Sequence, residues 1–181
     1  MKKILFIYPA LALCSIIFNG CLKGHDNDYY SDWRKQNDEW IANLESEVAA
    51  GRSEYTKFSA DWAPQNSVFV KWHNDRALTQ KNLTPLSTST VDITYSMENI
   101  EGKNLGDSFS VTTYGDSIYR SQPNQNIAGM WIAMLNMHVG DSVTMVIPYL
   151  SGYGAKAQGG ILPYSTLIYH VKMKNVLRYE K

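Results

Sequence analysis

The most constraining feature of this 181-residue chain is a short segment, residues 127–138, that is apolar nearly all round. Its apolar members are Ile127, Met130, Trp131, Ile132, Met134, Leu135 and Met137. A helix without a polar face must be covered on several sides, and a curled antiparallel sheet can do this. Alternating or β-rich segments lie around it, at residues 68–73, 90–97, 108–114, 142–148 and 165–177. The sequence therefore predicts an α+β domain in which an antiparallel sheet wraps around one short helix.

The first 20 residues have the pattern of a secretory signal peptide. Lys2 and Lys3 precede an apolar run over residues 4–18, which is shorter than the roughly 20 residues that span a bilayer as a helix. Cys21 follows a small residue at the end of this run, which resembles a bacterial lipobox. We therefore expect cleavage before Cys21 and acylation of its thiol. Plain secretion and an uncleaved membrane anchor are the alternatives.

This interpretation accounts for both cysteines and predicts where the protein works. Cys14 leaves with the signal peptide and Cys21 carries the lipid, so the mature domain has no thiol and depends on hydrophobic packing. Several acyl chains on one residue anchor firmly, because each buried methylene adds roughly 0.8 kcal/mol. We expect a membrane-anchored lipoprotein of the cell envelope that faces the periplasm or lies at the outer membrane. The balance of basic and acidic residues gives no indication of nucleic-acid binding.

The chain divides into a tether and two folded parts. Residues 21–28 form a short lipidated tether, residues 29–64 a helical extension, and residues 65–181 the sheet domain. Within residues 29–50, apolar side chains recur at helical spacing, and they are Trp33, Trp40, Ile41, Leu44 and Val48. A second short helix is predicted over residues 53–62, with Pro64 ending it. We expect the extension to dock on its own domain, with a dimer contact or a spacer from the membrane as alternatives.

An ordered set of short motifs follows the apolar segment. A Val-Gly-Asp turn comes first, at Val139-Gly140-Asp141, and a strand ends at Ile147-Pro148. A loop with Gly152-Tyr153-Gly154 then precedes a last strand that is led by Ile161-Leu162-Pro163. In this order the motifs closely resemble the FKBP-type peptidyl-prolyl cis-trans isomerases, over roughly residues 68–177. The resemblance implies a twisted sheet of five or six antiparallel strands over a short helix.

The resemblance also implies a chemistry that needs no cofactor and no metal. Rotation about an X-Pro bond crosses a barrier of about 18–20 kcal/mol because it breaks amide resonance. Uncatalysed exchange takes on the order of tens to hundreds of seconds. A dry apolar cleft disfavours the polar planar amide and tolerates the less polar twisted one, while flanking contacts hold the peptide. We accordingly expect no metal site, and His25, His73, His138 and His170 lack metal-ligand spacing.

Five residues agree in type with the family's site. The resemblance implies that Tyr95 is a wall of the cleft on a strand and that the backbone amide of Ile127 meets the substrate. It implies that the hydroxyl of Tyr153 donates to a substrate carbonyl. Ile161 is implied to be an apolar loop residue, and Tyr169 stands where the family usually has a phenylalanine wall.

Three further implied site residues depart from the family's pattern. Met130 stands where a tryptophan usually forms the floor, and Trp131 comes one position later, about 100° further round a helix. Leu105 and Asp107, separated by one glycine, stand where a Phe-Asp pair is usual. We expect a cleft that persists with weaker activity than in typical family members.

The predicted function is peptidyl-prolyl isomerisation that assists the folding of exported proteins. Its partners would be proline-containing peptides or unfolded exported proteins, with the membrane reached through the lipid anchor. The first alternative is a non-catalytic FKBP-fold module that binds peptides as a chaperone or complex subunit. The second is a structural lipoprotein that works through the Trp-rich face of its N-terminal helix.

Overall fold

The computed structural model describes residues 29–111 and 117–178. The predicted signal peptide, the tether to residue 28 and Cys21 lie outside these residues. Helix α1 is Ser31–Ala49 and helix α2 is Ala128–Met134. The strands are β1 Thr56–Ala60, β2 Ala63–Trp72, β3 Thr90–Glu98, β4 Asn104–Asp107, β5 Tyr119–Ser121, β6 Ser142–Ile147 and β7 Leu167–Arg178. Short 3-10 turns occupy Arg76–Leu78, Pro123–Gln125 and Tyr149–Ser151.

The seven strands form one antiparallel sheet in the order β1-β2-β6-β7-β3-β4, with β5 also paired to β3. The long strands β3 and β7 lie side by side, with Tyr95 opposite Val171 and Met97 opposite Tyr169. The predicted α+β class and the antiparallel sheet over a short helix are confirmed. The sheet has more strands than the five or six expected because the short strands β1 and β5 join it.

Helix α2 packs closely on the sheet and forms the centre of the core. A Cβ atom added to Gly129 would lie 2.5 Å from a side-chain carbon of Ile147, so only glycine permits this approach of α2 to β6. Every methionine among the described residues is buried in this core, and they are Met97, Met130, Met134, Met137, Met145 and Met173. Flexible thioether side chains thus fill much of the space between the helix and the sheet.

Helix α1 lies against the sheet domain, as expected. The indole N–H of Trp33 donates a hydrogen bond to the hydroxyl of Ser165 (3.0 Å), and Asn37 is fully buried. Gly51 follows the helix with φ +66°, the left-handed conformation typical of a helix end. Within the two described ranges, no helix combines the length and apolarity needed to cross a membrane.

The predicted second helix over residues 53–62 is wrong. Strand β1 occupies Thr56–Ala60 and pairs with β2, with Phe58 opposite Val68. The ring of Phe58 packs edge-on against Trp72, 5.7 Å away, so tertiary pairing outweighs local helix preference. Pro64 is exposed at the start of β2, where its missing N–H is tolerated. The sheet therefore begins before residue 65, inside the predicted extension.

The predicted strand over residues 108–114 is also wrong where the structure describes it. Residues 108–111 form a turn, and residues 112–114 lie outside the described ranges. The strand comes earlier, at Asn104–Asp107. Asn99 explains the difference because its side-chain oxygen accepts hydrogen bonds from the N–H groups of Glu101 and Lys103. These bonds confine the turn to a few residues, and the chain re-enters the sheet at Asn104.

Candidate active site

A cavity of about 190 Å³ opens between the sheet and the start of α2. Its lining comes from two long strands, the connection before α2, the first turn of α2 and the loop after β6. The lining residues are Tyr95, Tyr119, Gln125, Asn126, Ile127, Met130, Tyr153 and Tyr169. Four tyrosine rings thus line the cavity.

Neighbouring strands bring three of these rings together. Tyr95 on β3 and Tyr169 on β7 have ring centres 5.6 Å apart. Tyr119 on β5 meets Tyr95 edge-on, with centres 5.5 Å apart and an angle of 90°. The pairing of β3 with both β5 and β7 fixes these positions, and edge-on contacts between aromatic rings are favourable. The sheet therefore supplies a rigid aromatic wall.

The start of α2 forms the opposite side of the cavity. Ile127 is the N-cap residue, with extended φ −57° and ψ 149°, and its carbonyl accepts from the N–H of Trp131. The first N–H groups of a helix have no carbonyl partner within the helix, so they are available to a bound peptide. Met130, buried at 3% exposure, closes the floor.

Tyr153 reaches the cavity from a loop that its own backbone ties together. The N–H of Gly154 donates to the carbonyl of Tyr149 (2.9 Å), and the N–H of Tyr164 donates to the carbonyl of Gly154 (2.8 Å). Gly154 has φ +65°, a conformation that glycine adopts without strain. Tyr153 lies beside Tyr169 at the cavity wall, near enough to contribute to the raised pKa of Tyr169.

The hydroxyls of Tyr95 and Tyr169 stay protonated in the cavity wall. Burial raises the pKa of Tyr169 far above its usual range, and the neighbouring Tyr153 and Tyr95 add to the shift. Burial likewise raises the pKa of Tyr95, with further contributions from Tyr119, Tyr153 and Asp107. The cavity therefore offers neutral hydroxyl donors and aromatic surface. Among the residues that the structure describes, no three His, Cys, Asp or Glu side chains are grouped so that they could hold a metal ion.

The sequence profile described as FKBP-type peptidyl-prolyl cis-trans isomerase matches residues 81–174, more than half of the chain. The chain belongs to this family. Its matched part runs from the loop before β3 into β7 and contains every residue that lines the cavity. The resemblance that the sequence motifs carried is confirmed.

Solved structures of FKBP-type isomerases share this fold. A peptidyl-prolyl cis-trans isomerase from Pseudomonas syringae pv. tomato is 19% identical with a TM-score of 0.63, over 82% of this chain and 96% of that one. FkpA from Escherichia coli is 19% identical with a TM-score of 0.64, over 83% of this chain and 62% of that one. At such identity the likeness shows the fold. No curated protein sequence matches the chain significantly.

The cavity brings together five of the eight predicted site residues of this FKBP-type domain, namely Tyr95, Ile127, Met130, Tyr153 and Tyr169. The other three lie outside its lining. Ile161 is buried in the core, and Leu105 packs half-buried against that core. Asp107 holds the next turn, where its carboxylate accepts from both the N–H and the hydroxyl of Ser110. These bonds lower the pKa of Asp107. The negative charge of Asp107 in turn contributes to the raised pKa of Tyr95 in the cavity wall.

Met130 and Trp131 face different surroundings, as the rotation of about 100° per helical residue predicts. Met130 lines the cavity of the FKBP-type domain, whereas Trp131 does not. The Trp131 ring instead stacks on Trp62 with centres 3.9 Å apart, and its N–H donates to the hydroxyl of Ser87 (3.2 Å). Trp131 therefore does not replace the tryptophan floor that is usual in the family.

Three lining residues were missed by sequence reasoning, namely Tyr119, Gln125 and Asn126. All three lie between the segment predicted as a strand, residues 108–114, and the apolar segment predicted as a helix. The amide of Asn126 donates to the carbonyl of Gln122 (2.7 Å) and to the hydroxyl of Ser121 (3.1 Å), which fixes the approach to α2. Their position immediately before the predicted helix was the available signal. Gln125 and Asn126 add side-chain amides to a cleft that was expected to have apolar and aromatic walls with a few hydrogen-bond donors.

Proposed function

We propose that this protein accelerates cis-trans isomerisation of X-Pro bonds in exported proteins, and that the reaction takes place in the tyrosine-lined cavity at the start of α2. The observation that carries the proposal is the meeting of Tyr95, Tyr153 and Tyr169 with Ile127 and Met130 around one cavity. Membership of the FKBP-type family supports the reaction class. No charged catalyst is needed, because the reaction breaks no bond and only rotates one.

The cavity favours the twisted amide over the planar one. A planar X-Pro amide has a large dipole through conjugation, and that dipole weakens as the bond twists. Transfer of the polar planar form into a site walled by aromatic rings costs desolvation, whereas the twisted form loses less. The rings of Tyr95 and Tyr169, with Met130 below, would hold the pyrrolidine ring in this surrounding. The site thus lowers the barrier by binding the transition state more tightly than the ground state.

Two donors are suited to orient the peptide. The N–H of Ile127 lies at the helix start, where helix geometry provides no carbonyl partner. The hydroxyl of Tyr153 lies in the cavity wall beside Tyr169. Donors that face the two sides of the proline would fix the flanking carbonyls while the bond between them turns.

The experiment is the cis-to-trans rate of a short X-Pro peptide with the wild-type protein and with Tyr153→Ala. We expect wild type to accelerate exchange and Tyr153→Ala to reduce kcat/KM by at least about tenfold, since it removes both an aromatic wall and a donor. Tyr153→Phe, which removes the hydroxyl alone, should fall in between.

The matched control is Tyr29→Ala, because the Tyr29 side chain is 82% exposed and lies outside the cavity. Its kcat/KM should equal that of wild type. A folded wild-type protein that leaves the exchange rate unchanged would refute the isomerase. It would favour the second candidate function, a peptide-binding module. The presence of Met130 in place of tryptophan and of polar Gln125 and Asn126 in the lining favours that candidate.

We also propose that the protein works in the cell envelope as a lipoprotein anchored through Cys21. The signal-like residues 1–20 and the position of Cys21 directly after them support this. Labelled fatty acid should be incorporated into the wild-type protein expressed in bacteria and should be absent from Cys21→Ser, which should leave the membrane fraction. Equal labelling of both proteins, or none of either, would contradict the anchor.

A further inference from the structure

The segment that carries Tyr153, residues 149–166, is bound at its end by helix α1. The backbone N–H of Thr166 donates to the side-chain oxygen of Asn37 (2.7 Å), and both residues are fully buried. The side-chain N–H₂ of Asn37 donates in turn to the carbonyl of Trp33 (2.8 Å), whose indole N–H bonds Ser165. Buried polar groups that are hydrogen-bonded to each other favour one arrangement, because its loss leaves the Thr166 N–H and the Asn37 side-chain oxygen unpaired.

The same turn of α1 also contacts the start of the segment. The guanidinium of Arg34 lies 6.0 Å from the ring centre of Tyr149 and 4.9 Å from that of Tyr164. These two rings meet edge-on, with centres 5.4 Å apart. One cation thus joins the first residue of the segment to a residue near its end, a contact that is worth roughly 0.5–1 kcal/mol at an exposed site.

Both contacted ends lead directly to the residue after Tyr153. Gly154 donates through its N–H to Tyr149 and accepts through its carbonyl from the N–H of Tyr164. Any displacement of Tyr149 or Tyr164 therefore moves Gly154, and with it the Tyr153 ring in the cavity wall.

Tyr164 has a backbone conformation that requires support. Its φ is +61°, the left-handed region, which costs a residue other than glycine roughly 1–2 kcal/mol. Such a conformation persists where the surroundings fix it. Arg34 and Tyr149 pack on the Tyr164 ring, and Ser165 and Thr166 directly after it are bonded to α1.

We propose that helix α1 is a positioning element of the active site, with Asn37 as its central residue, and that it sets the place of Tyr153 by holding residues 149–166. Helix α1 lies outside residues 81–174, which the family profile matches, so this is a role of the chain's own extension. The consequence for the reaction rests on the proposed isomerase function, whereas the effect on the segment does not.

The experiment compares full-length wild type with Asn37→Ala by amide hydrogen exchange and by isomerase kinetics. The amides of Gly154 and Tyr164 should exchange at least about tenfold faster in the variant, while those of β6 keep their wild-type rates. Ser165→Ala removes only the hydroxyl that accepts from the Trp33 indole N–H and should give a smaller increase at the same amides. Lys35→Gln is the matched control, since Lys35 is largely exposed on α1, and it should change neither measurement.

The kinetic arm distinguishes positioning from general loss of stability. Asn37→Ala should lower kcat/KM about fivefold, as expected for loss of a hydrogen bond that positions a donor. In the Tyr153→Phe background the same substitution should add little, because the hydroxyl that it misplaces is already absent. Two results would overturn the proposal. One is a loss of kcat/KM on Asn37→Ala that is as large in the Tyr153→Phe background as in wild type. The other is amide exchange that rises as much in β6 as at Gly154 and Tyr164. A wild-type protein without isomerase activity would refute the proposed function alone, and exchange at Gly154 would still decide the role of α1.

Discussion

The two ends of helix α2 carry polar groups of opposite character. Beyond its C-terminal end, the carboxylate of Asp141 is fully buried and accepts hydrogen bonds from Thr79 (2.5 Å), Asn74 (3.0 Å) and the N–H of His138 (2.9 Å). At its N-terminal end, four tyrosine side chains and the N-cap residue Ile127 line an open cavity. We call the first region the Asp141 corner.

The Asp141 corner is closed on all sides by its own protein. The Trp72 indole N–H points at the same carboxylate (3.4 Å), and the Arg76 guanidinium lies 4.4 Å from the Trp72 ring centre. Burial alone would raise the pKa of Asp141, but the hydrogen bonds and the charge of Arg76 outweigh it and lower the pKa. The charged form is therefore the one that the fold requires.

This comparison shows how one helix separates stability from function. A buried polar group that has all its partners contributes to the fold and has nothing left to offer a ligand. A polar group that lines an open cavity contributes little to the fold and keeps its bonding capacity for a substrate. The Val-Gly-Asp turn and the Tyr-Gly loop, which both supported the family assignment, thus have different roles.

The largest expected effect is loss of stability on Asp141→Ala. The substitution removes the buried carboxylate that accepts from Thr79, Asn74 and the N–H of His138, and removal of one member of a buried charged network costs about 3–5 kcal/mol. Urea unfolding at neutral pH should show this loss, while Asp61→Ala, which changes an exposed residue, should leave the midpoint unchanged. The folded fraction of Asp141→Ala should keep wild-type kcat/KM. An unchanged midpoint would show that the Asp141 carboxylate does not stabilise the fold.

The second prediction concerns pH, because the Asp141 corner should lose its stabilising effect in acid and Tyr169 of the cavity should lose its own in alkali. A lowered pKa for Asp141 means that its contribution is complete above about pH 4 and is lost as pH falls through the folded-state pKa. A raised pKa for Tyr169 means that its contribution is complete below about pH 10 and is lost as pH rises further.

Urea midpoints measured on both sides of neutrality test this opposition. Above about pH 10, Tyr169→Phe should remove a decline of up to about 1.4 kcal/mol per pH unit in the free energy of unfolding. Tyr29→Phe, at an exposed site, should keep the wild-type alkaline profile. If the Tyr169→Phe and wild-type profiles coincide in alkali, burial does not hold this hydroxyl protonated.

The smallest expected effect is on the cavity floor. Met130→Trp would place a flat, rigid ring where the flexible thioether now lies, and kcat/KM should rise about threefold through less loss of side-chain freedom on binding. The control is Trp131→Phe, which changes the ring that stacks on Trp62 and should leave kcat/KM unchanged. A fall in kcat/KM with an unaltered unfolding midpoint would show that Met130 suits this cavity better than tryptophan.

Sequence reasoning succeeded for features that follow from the residue spacing within one helix or strand. The alternation around Tyr95 and Tyr169 predicts strands, and the all-round apolar segment predicts a helix beneath a sheet; both are confirmed. The separation of Met130 from Trp131 follows from helical rotation alone. These features depend on local geometry, which the order of residues specifies.

Sequence reasoning failed for features that depend on pairing between segments far apart in the chain. Thr56–Ala60 becomes a strand because β2 lies beside it, and nothing within residues 53–62 contains that information. Tyr119 enters the cavity because β5 pairs with β3, across a connection whose polar residues indicate only a loop. Asn37 looks like a surface residue on a polar helix face, yet it is buried because Thr166, 129 positions later, donates to it.

Oxidation of the six core methionines can report how often the core opens. Peroxide converts a thioether to a sulfoxide only where it can reach the sulfur, and here it must wait for the core to open. Met145 lies on β6 and is fully buried, whereas Met130 forms the cavity floor. A peptide seated above Met130 should therefore delay oxidation of that sulfur and leave the other five unaffected. The mass increase on oxidation of Met130 would then report whether a peptide occupies the site, without a label or substrate turnover.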